Sequence, residues 1–190
     1  FNNVTDGLFK IYQLLFGVRF EEIKNASVWH EDVQMFSIFN EETNELIGNF
    51  YLDMFPRANK YSHAAAFSVV MGKRTDAAYQ KPSTALVCNF PKPTEFQPSL
   101  LTHDNVETYF HEFGHLVHGV LTKSDLMSYA GTSVARDFVE APSQMLENWV
   151  WNKESLAMFA EHYQSGEVIP NMLLDKMIAA KNINSGTKAL

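Results

Sequence analysis

The hydrophobic pattern of this 190-residue chain changes period at residue 103, and that change constrains the fold more than any other feature. Before it, short aliphatic and aromatic runs alternate with turn-forming clusters, the signature of strands. After it, apolar residues recur at helical spacing. A small sheet over about 28–90 followed by helices over about 103–190 predicts an α+β fold with an antiparallel-type sheet. A short amphipathic helix over 5–16 precedes the sheet, with Leu8, Ile11, Leu14 and Leu15 on one face and Gly17 as its stop. Strands are predicted over 28–39, 47–55, 63–70 and 84–90, the first two joined as a hairpin by the cluster 40–44. Residues 72–82 read as loop, and the three prolines of 91–98 end the sheet region.

Four helices are predicted after residue 103. The first covers 104–121, capped by Asp104 or Asn105. The second covers 137–151 and begins near Val139, so that Pro142 falls in its first turn. The third and fourth cover 155–163 and 170–180, with Pro170 opening the last. No internal repeat or low-complexity segment interrupts the pattern.

Composition removes several classes of function. Fifteen Lys and Arg against 22 Asp and Glu give a net charge of -7, the wrong sign for a nucleic-acid partner. A single cysteine, Cys88, excludes an internal disulfide framework and a cysteine-rich zinc fold. No apolar run approaches the ~18 residues of a membrane-spanning helix, so no membrane partner is expected. The chain opens on Phe1, not Met, and stops at Leu190, and neither end looks like a designed terminus; either the tails were trimmed or the chain is a piece of a longer protein.

Within the helix predicted over 104–121 lies His111-Glu112-Phe113-Gly114-His115. Histidines four residues apart stand about 40° apart around a helix, so their rings can converge on one metal ion. Glu112 projects beside them and can act as a base on a metal-bound water. The same pentapeptide also arises by chance on solvated helix faces, so a third ligand is the test. Leu121 occupies the position where a histidine six residues after His115 would stand, and Asp125 falls in a loop. Glu140 can be returned to the histidines by a loop of roughly a dozen residues and an antiparallel second helix. Glu147, two turns further along the same face, is the alternative. Glu107, one turn before His111, is a candidate to hold the outer nitrogen of a ligand histidine. His118 shares that helix face and reads as a packing or surface histidine before it reads as a metal residue. Asp137 either orients a ligand or caps the second helix.

The run Val106–His115 resembles the signature of the M3 family of zinc metallopeptidases, of the thimet oligopeptidase, neurolysin and oligopeptidase A type. The segment Arg136–Trp149 resembles that family's third-ligand region. The likeness extends to Trp29–Val33, Phe50–Asp53, Lys60–Ala64, His162-Tyr163 and Lys181–Gly186. Met145–Trp149 is similar to the thimet and neurolysin branch, whereas His118-Gly119 is similar to the dipeptidyl carboxypeptidases.

This resemblance implies one Zn²⁺ ion held by His111, His115 and Glu140, with Glu112 as general base for attack of zinc-bound water on short peptides. It implies a small curved sheet beside zincin-like helices, set in a larger and mostly helical protein whose deep channel admits short peptides. The family's histidine and tyrosines that stabilise the tetrahedral intermediate lie beyond the third-ligand helix, and this chain stops before them. These 190 residues are therefore expected to be weak or inactive alone, without the N- and C-terminal parts of the parent. The resemblance favours cytoplasm, or an organelle such as the mitochondrion, over secretion. Three other readings stay open: a dipeptidyl carboxypeptidase of the same family, another HExxH peptidase with a helix-borne glutamate, or a non-catalytic zinc-stabilised binding module.

Overall fold

The structure is a computed structural model and describes residues 1–181 and 183. The quoted run Lys181–Gly186 falls largely outside the described residues. Among the described residues, helix α1 (Asn2–Phe16) leads into strands β1 (Val18–Glu22), β2 (Gln34–Asn40) and β3 (Leu46–Asp53). Strand β4 (Ala65–Val70), a two-residue hairpin of β5 (Lys73–Arg74) and β6 (Tyr79–Gln80), and β7 (Ser83–Val87) complete the first half. Helices α2 (His103–Val120), α3 (Ala141–Glu147), α4 (Lys153–Leu156) and α5 (Asn171–Lys181) form the second.

Local sequence accounts for most of these boundaries. Helix α1 buries Leu8, Ile11 and Tyr12 and ends at Gly17, whose φ of 61° is the left-handed conformation that glycine adopts without strain. The β2–β3 hairpin closes where Asn40 Oδ1 accepts from the amides of Glu42 and Thr43, with Asn44 left-handed at φ 57°. Period-two alternation on β2 and β3 sends Phe36, Ile38, Phe50 and Leu52 to the core.

The main sheet has the order β1-β2-β3-β7-β4. The α+β reading holds, and the antiparallel expectation holds for β1–β2, β2–β3 and β4–β7, but β3 and β7 run parallel. The sheet also begins earlier than the sequence pattern indicates. Val18–Glu22 is a strand whose two glutamates and arginine mask its alternation, while of the 28–39 run only Gln34 onward is strand. Trp29 instead leaves the ladder to bond Asp53. The expected loop over 72–82 contains the β5–β6 hairpin, tied to the segment after α2 by Tyr79 Oη donating to Thr122 O at 3.1 Å.

Helix α2 lies across the sheet and carries the largest share of the core. Tyr109, Phe110, Phe113, Leu116 and Val120 are fully buried. Its cap is Thr102, two to three residues before the expected Asp104 or Asn105. Thr102 Oγ1 accepts from Asn105 N at 3.2 Å, and Asn105 Oδ1 accepts from Thr102 N at 3.1 Å, a reciprocal capping box. The expected second helix is shorter: α3 starts at Ala141, with Pro142 in its first turn, and tightens into a 3₁₀ turn over Asn148–Trp151. The expected third helix lasts only from Lys153 to Leu156, because the chain then bends so that Glu161 bridges Val168.

One buried ion cluster fixes the far end of β3. Asp53 is 2% exposed and accepts from Arg57 Nη1 and Nη2 at 2.7 and 2.8 Å and from Trp29 Nε1 at 2.9 Å. Lys60 Nζ stands 2.9 Å from the same carboxylate and also donates to the carbonyls of Phe55 and Cys88. Burial alone would raise the Asp53 pKa, but the Arg57, Trp29 and Lys60 bonds overcome it and hold the carboxyl well below its ordinary range. A depressed folded pKa gives stability that is present above the unfolded value of ~3.9 and is lost as pH falls below it. Asp53→Asn is expected to cost about 3–5 kcal/mol at neutral pH. Urea unfolding should show this gap between the two proteins narrowing between roughly pH 5 and pH 2; a gap independent of pH would refute the assignment.

Candidate metal centre

The pentapeptide 111–115 is divided by the helix period between core and surface. Phe113 points into the aromatic core, with ring centroids 4.8 Å from Tyr12, 5.6 Å from Phe50 and 5.7 Å from Phe9. That anchoring sends His111 and His115 to the opposite side, part-buried with ring centroids 4.8 Å apart. Their Nε2 atoms lie 3.2 Å from each other.

Glu140 closes the group from the residue just before α3. Its Oε2 is 3.2 Å from His111 Nε2 and 3.0 Å from His115 Nε2. The helix axis passes close enough for this because position 114 has no side chain: a Cβ there would stand 2.9 Å from Ser143 Cα. Burial would raise the Glu140 pKa, but the Ser143 hydroxyl bond and the neighbouring His115 and His111 rings lower it on balance.

His111, His115 and Glu140 offer ligand atoms that all lie within 4.8 Å of one another. Three atoms spaced this closely share a centre about 2 Å from each, the length of zinc–nitrogen and zinc–oxygen bonds. Two imidazoles and one carboxylate match the donor set of a catalytic zinc site that keeps its fourth position open. The residues present therefore fit the ion that the sequence suggests.

Glu147 is not placed as a third ligand. It lies on the other side of His111, with Oε1 2.6 Å from Nδ1. The Glu147 carboxylate can accept from an Nδ1–H, the tautomer that would leave Nε2 for a metal ion. The Nδ1 of His115 is buried and has no hydrogen-bond partner among the described residues.

Glu112 sits on the sheet side of α2, about half-buried. Its carboxyl pKa is raised, chiefly by burial and secondarily by Glu140, against the lowering pull of His111, His115 and the Ala66 main chain on β4. A carboxylate with a raised pKa can accept and release a proton nearer to neutral pH. Cys88 is fully buried nearby, and burial together with the Glu112 charge pushes its thiol up to about 12.

The remaining candidates go elsewhere. Glu107 accepts from Trp151 Nε1 at 2.6 Å and pairs with Lys181 at 3.4 Å, so it braces α2 against the segments after α3 and not against a histidine. Asp137 is exposed in the turn before α3 and does not cap it. His118 lines an apolar cavity of about 340 Å³ with Phe16, Tyr129, Val134 and Met145, and its pKa is lowered by burial and by His115. Sequence reasoning did not single out Ser143 or Ala66. Ser143 carries a legible signal, a hydroxyl one helical turn after an acid, whereas the place of Ala66 depends on sheet order alone.

The model of Peptidase family M3 matches residues 1–190. The chain is 48% identical over 188 residues to the thimet-like oligopeptidase of Dictyostelium discoideum, covering 97% of this chain and 28% of that protein. It is 45% identical over 183 residues to oligopeptidase A of Escherichia coli K12, covering 95% of this chain and 27% of that protein. A more distant relative is the dipeptidyl carboxypeptidase of the same bacterium, 37% identical over 183 residues, with 96% and 26% covered. The chain thus spans little more than a quarter of the length of these relatives.

The Glu147–His111 bond yields a direct expectation. Glu147→Ala frees His111 Nδ1 and should weaken binding of a divalent metal by about 10- to 100-fold. Titration against a chromophoric chelator reads this, and an unchanged affinity would show that His111 is oriented without it.

Proposed function

The chain belongs to peptidase family M3, and from that premise we propose that it is the zinc-binding core of a metallopeptidase that hydrolyses short peptides. The observation that carries this reading is the convergence of His111 Nε2, His115 Nε2 and Glu140 Oε2 beside a half-buried Glu112. In this proposal His111, His115 and Glu140 hold one zinc ion and Glu112 is the general base.

A zinc ion held by His111, His115 and Glu140 would lower the pKa of a bound water toward ~7 and would polarise a peptide carbonyl. The protein supplies the rest. Glu147 fixes the tautomer of His111, and Phe113 sets the azimuth of both rings. The Glu112 carboxylate takes a proton from the attacking water and returns it to the leaving amine. The environments of the two carboxylates separate their roles, since Glu140 is held ionised by its partners while burial makes Glu112 more basic. A closed structural zinc site needs four protein ligands, and among the described residues three donors converge here, which supports the enzymatic reading over a zinc-stabilised binding module.

Coverage of about a quarter of each relative supports a role within a longer chain, so residues 1–190 alone should cleave peptides weakly. The higher identities to proteins named as oligopeptidases favour internal cleavage, and the dipeptidyl carboxypeptidase relative keeps that activity as the second reading. A quenched peptide with an amidated C-terminus separates the two, because a dipeptidyl carboxypeptidase requires a free terminal carboxylate. Glu112→Gln in the intact protein is expected to retain one zinc per chain and to lose about 10²–10⁴ in kcat. Normal cleavage by a zinc-loaded Gln variant would refute the general-base role.

A further inference from the structure

We propose that Ser143 is a positioning residue that aims the Glu140 carboxylate at the two histidines, and that Gly114 provides the gap that lets it do so. The inference rests on the metal-centre reading above. Glu140 stands at the surface, with a side chain 48% exposed, so packing does little to select among its rotamers. Ser143, one turn later, is fully buried. Its hydroxyl lies 2.9 Å from Glu140 O and 3.0 Å from Glu140 Oε2. That Oε2 is the atom found 3.2 and 3.0 Å from His111 and His115 Nε2. A buried hydroxyl thus grips the one carboxylate oxygen that faces the histidines, at the end of a flexible side chain.

Gly114 sets where that grip stands. A Cβ at 114 would meet Ser143 Cα at 2.9 Å, Leu146 Cδ1 at 3.2 Å and Ser143 Cβ at 3.4 Å. The closest of these is main chain, which yields only if α3 shifts. Any side chain at 114 therefore moves Ser143, and Glu140 with it, away from α2. Serines near a helix start often bond the carbonyl three residues back simply as a local cap. Contact with Oε2 is what distinguishes the proposed role, and the test must separate the two.

The experiment measures zinc affinity by chelator competition in the intact protein, together with the visible spectrum of the cobalt-substituted form. Ser143→Ala is expected to raise the zinc Kd by about 10- to 100-fold, to alter the cobalt spectrum, and to leave the melting temperature of the metal-free protein unchanged. In a Glu140→Ala background the same substitution should leave the zinc Kd unaffected, since the group it positions is gone. Gly114→Ala should raise the Kd in the same range by displacing α3. Zinc affinity insensitive to Ser143→Ala, an equal loss with and without Glu140, or failure of Ser143→Ala to fold without metal would each overturn the inference. Unsubstituted protein that holds no zinc, or Glu140→Ala without effect on affinity, would overturn the metal-centre reading and the inference with it.

Discussion

The packing of Phe113 against the sheet and α1 is the contact on which the rest of the site depends. The ring meets Tyr12, Phe9, Phe20 and Phe50, so α2 is held in rotation as well as in position. Tyr12 Oη adds a hydrogen bond of 2.7 Å to Phe110 O, which resists sliding of α2 along its own axis. A helix fixed in rotation and translation presents His111 and His115 in a defined direction, two residues either side of the anchor. Core formation and the placement of the two histidines are one event in this pentapeptide, because the 3.6-residue period gives it both faces.

From α2 outward, order is passed on by short elements. Helix α3 has seven residues, too few to be stable unaided, and it lies on α2 across the Gly114 notch. Its two ends serve the same histidine: Glu140 at the start approaches His111 Nε2, and Glu147 at the finish binds His111 Nδ1. The contact at Nδ1 restrains the imidazole from flipping, and the carboxylates on its two sides are spaced by α3 itself. Thus the short helix sets the spacing between two carboxylates around one histidine.

The fold was legible where one local signal governed. The αL glycine at 17, the asparagine turn at 40 and the helical stripe of α2 are each decided within a few residues. The expectations that changed were settled at longer range. Val18–Glu22 pairs with Asn40 to Phe36 despite its charges, and β7 enters the sheet between β3 and β4, parallel to the first. Neither follows from alternation. At the site, helical spacing was enough to suggest that His111 and His115 converge. Helix α3 starts at Ala141 and not near Val139, which leaves Glu140 at its cap beside the histidines and turns Glu147 toward the outer nitrogen of His111, a distinction that spacing alone does not carry.

The position of Glu140 at the junction of loop and helix has a consequence for how the chain holds together. Between His115 and Glu140 the backbone leaves α2, makes a 3₁₀ turn over Met127–Tyr129 and returns through exposed turns. Under the metal-centre reading, an ion bound at both ends of this excursion staples it shut, and the entropy of closing the loop is then carried by the ligands. Zinc would serve as a clasp for the local architecture as well as a participant in chemistry. Stripping it should loosen residues 121–140 first, so that chelation opens this stretch to proteases while the sheet and α1 remain closed.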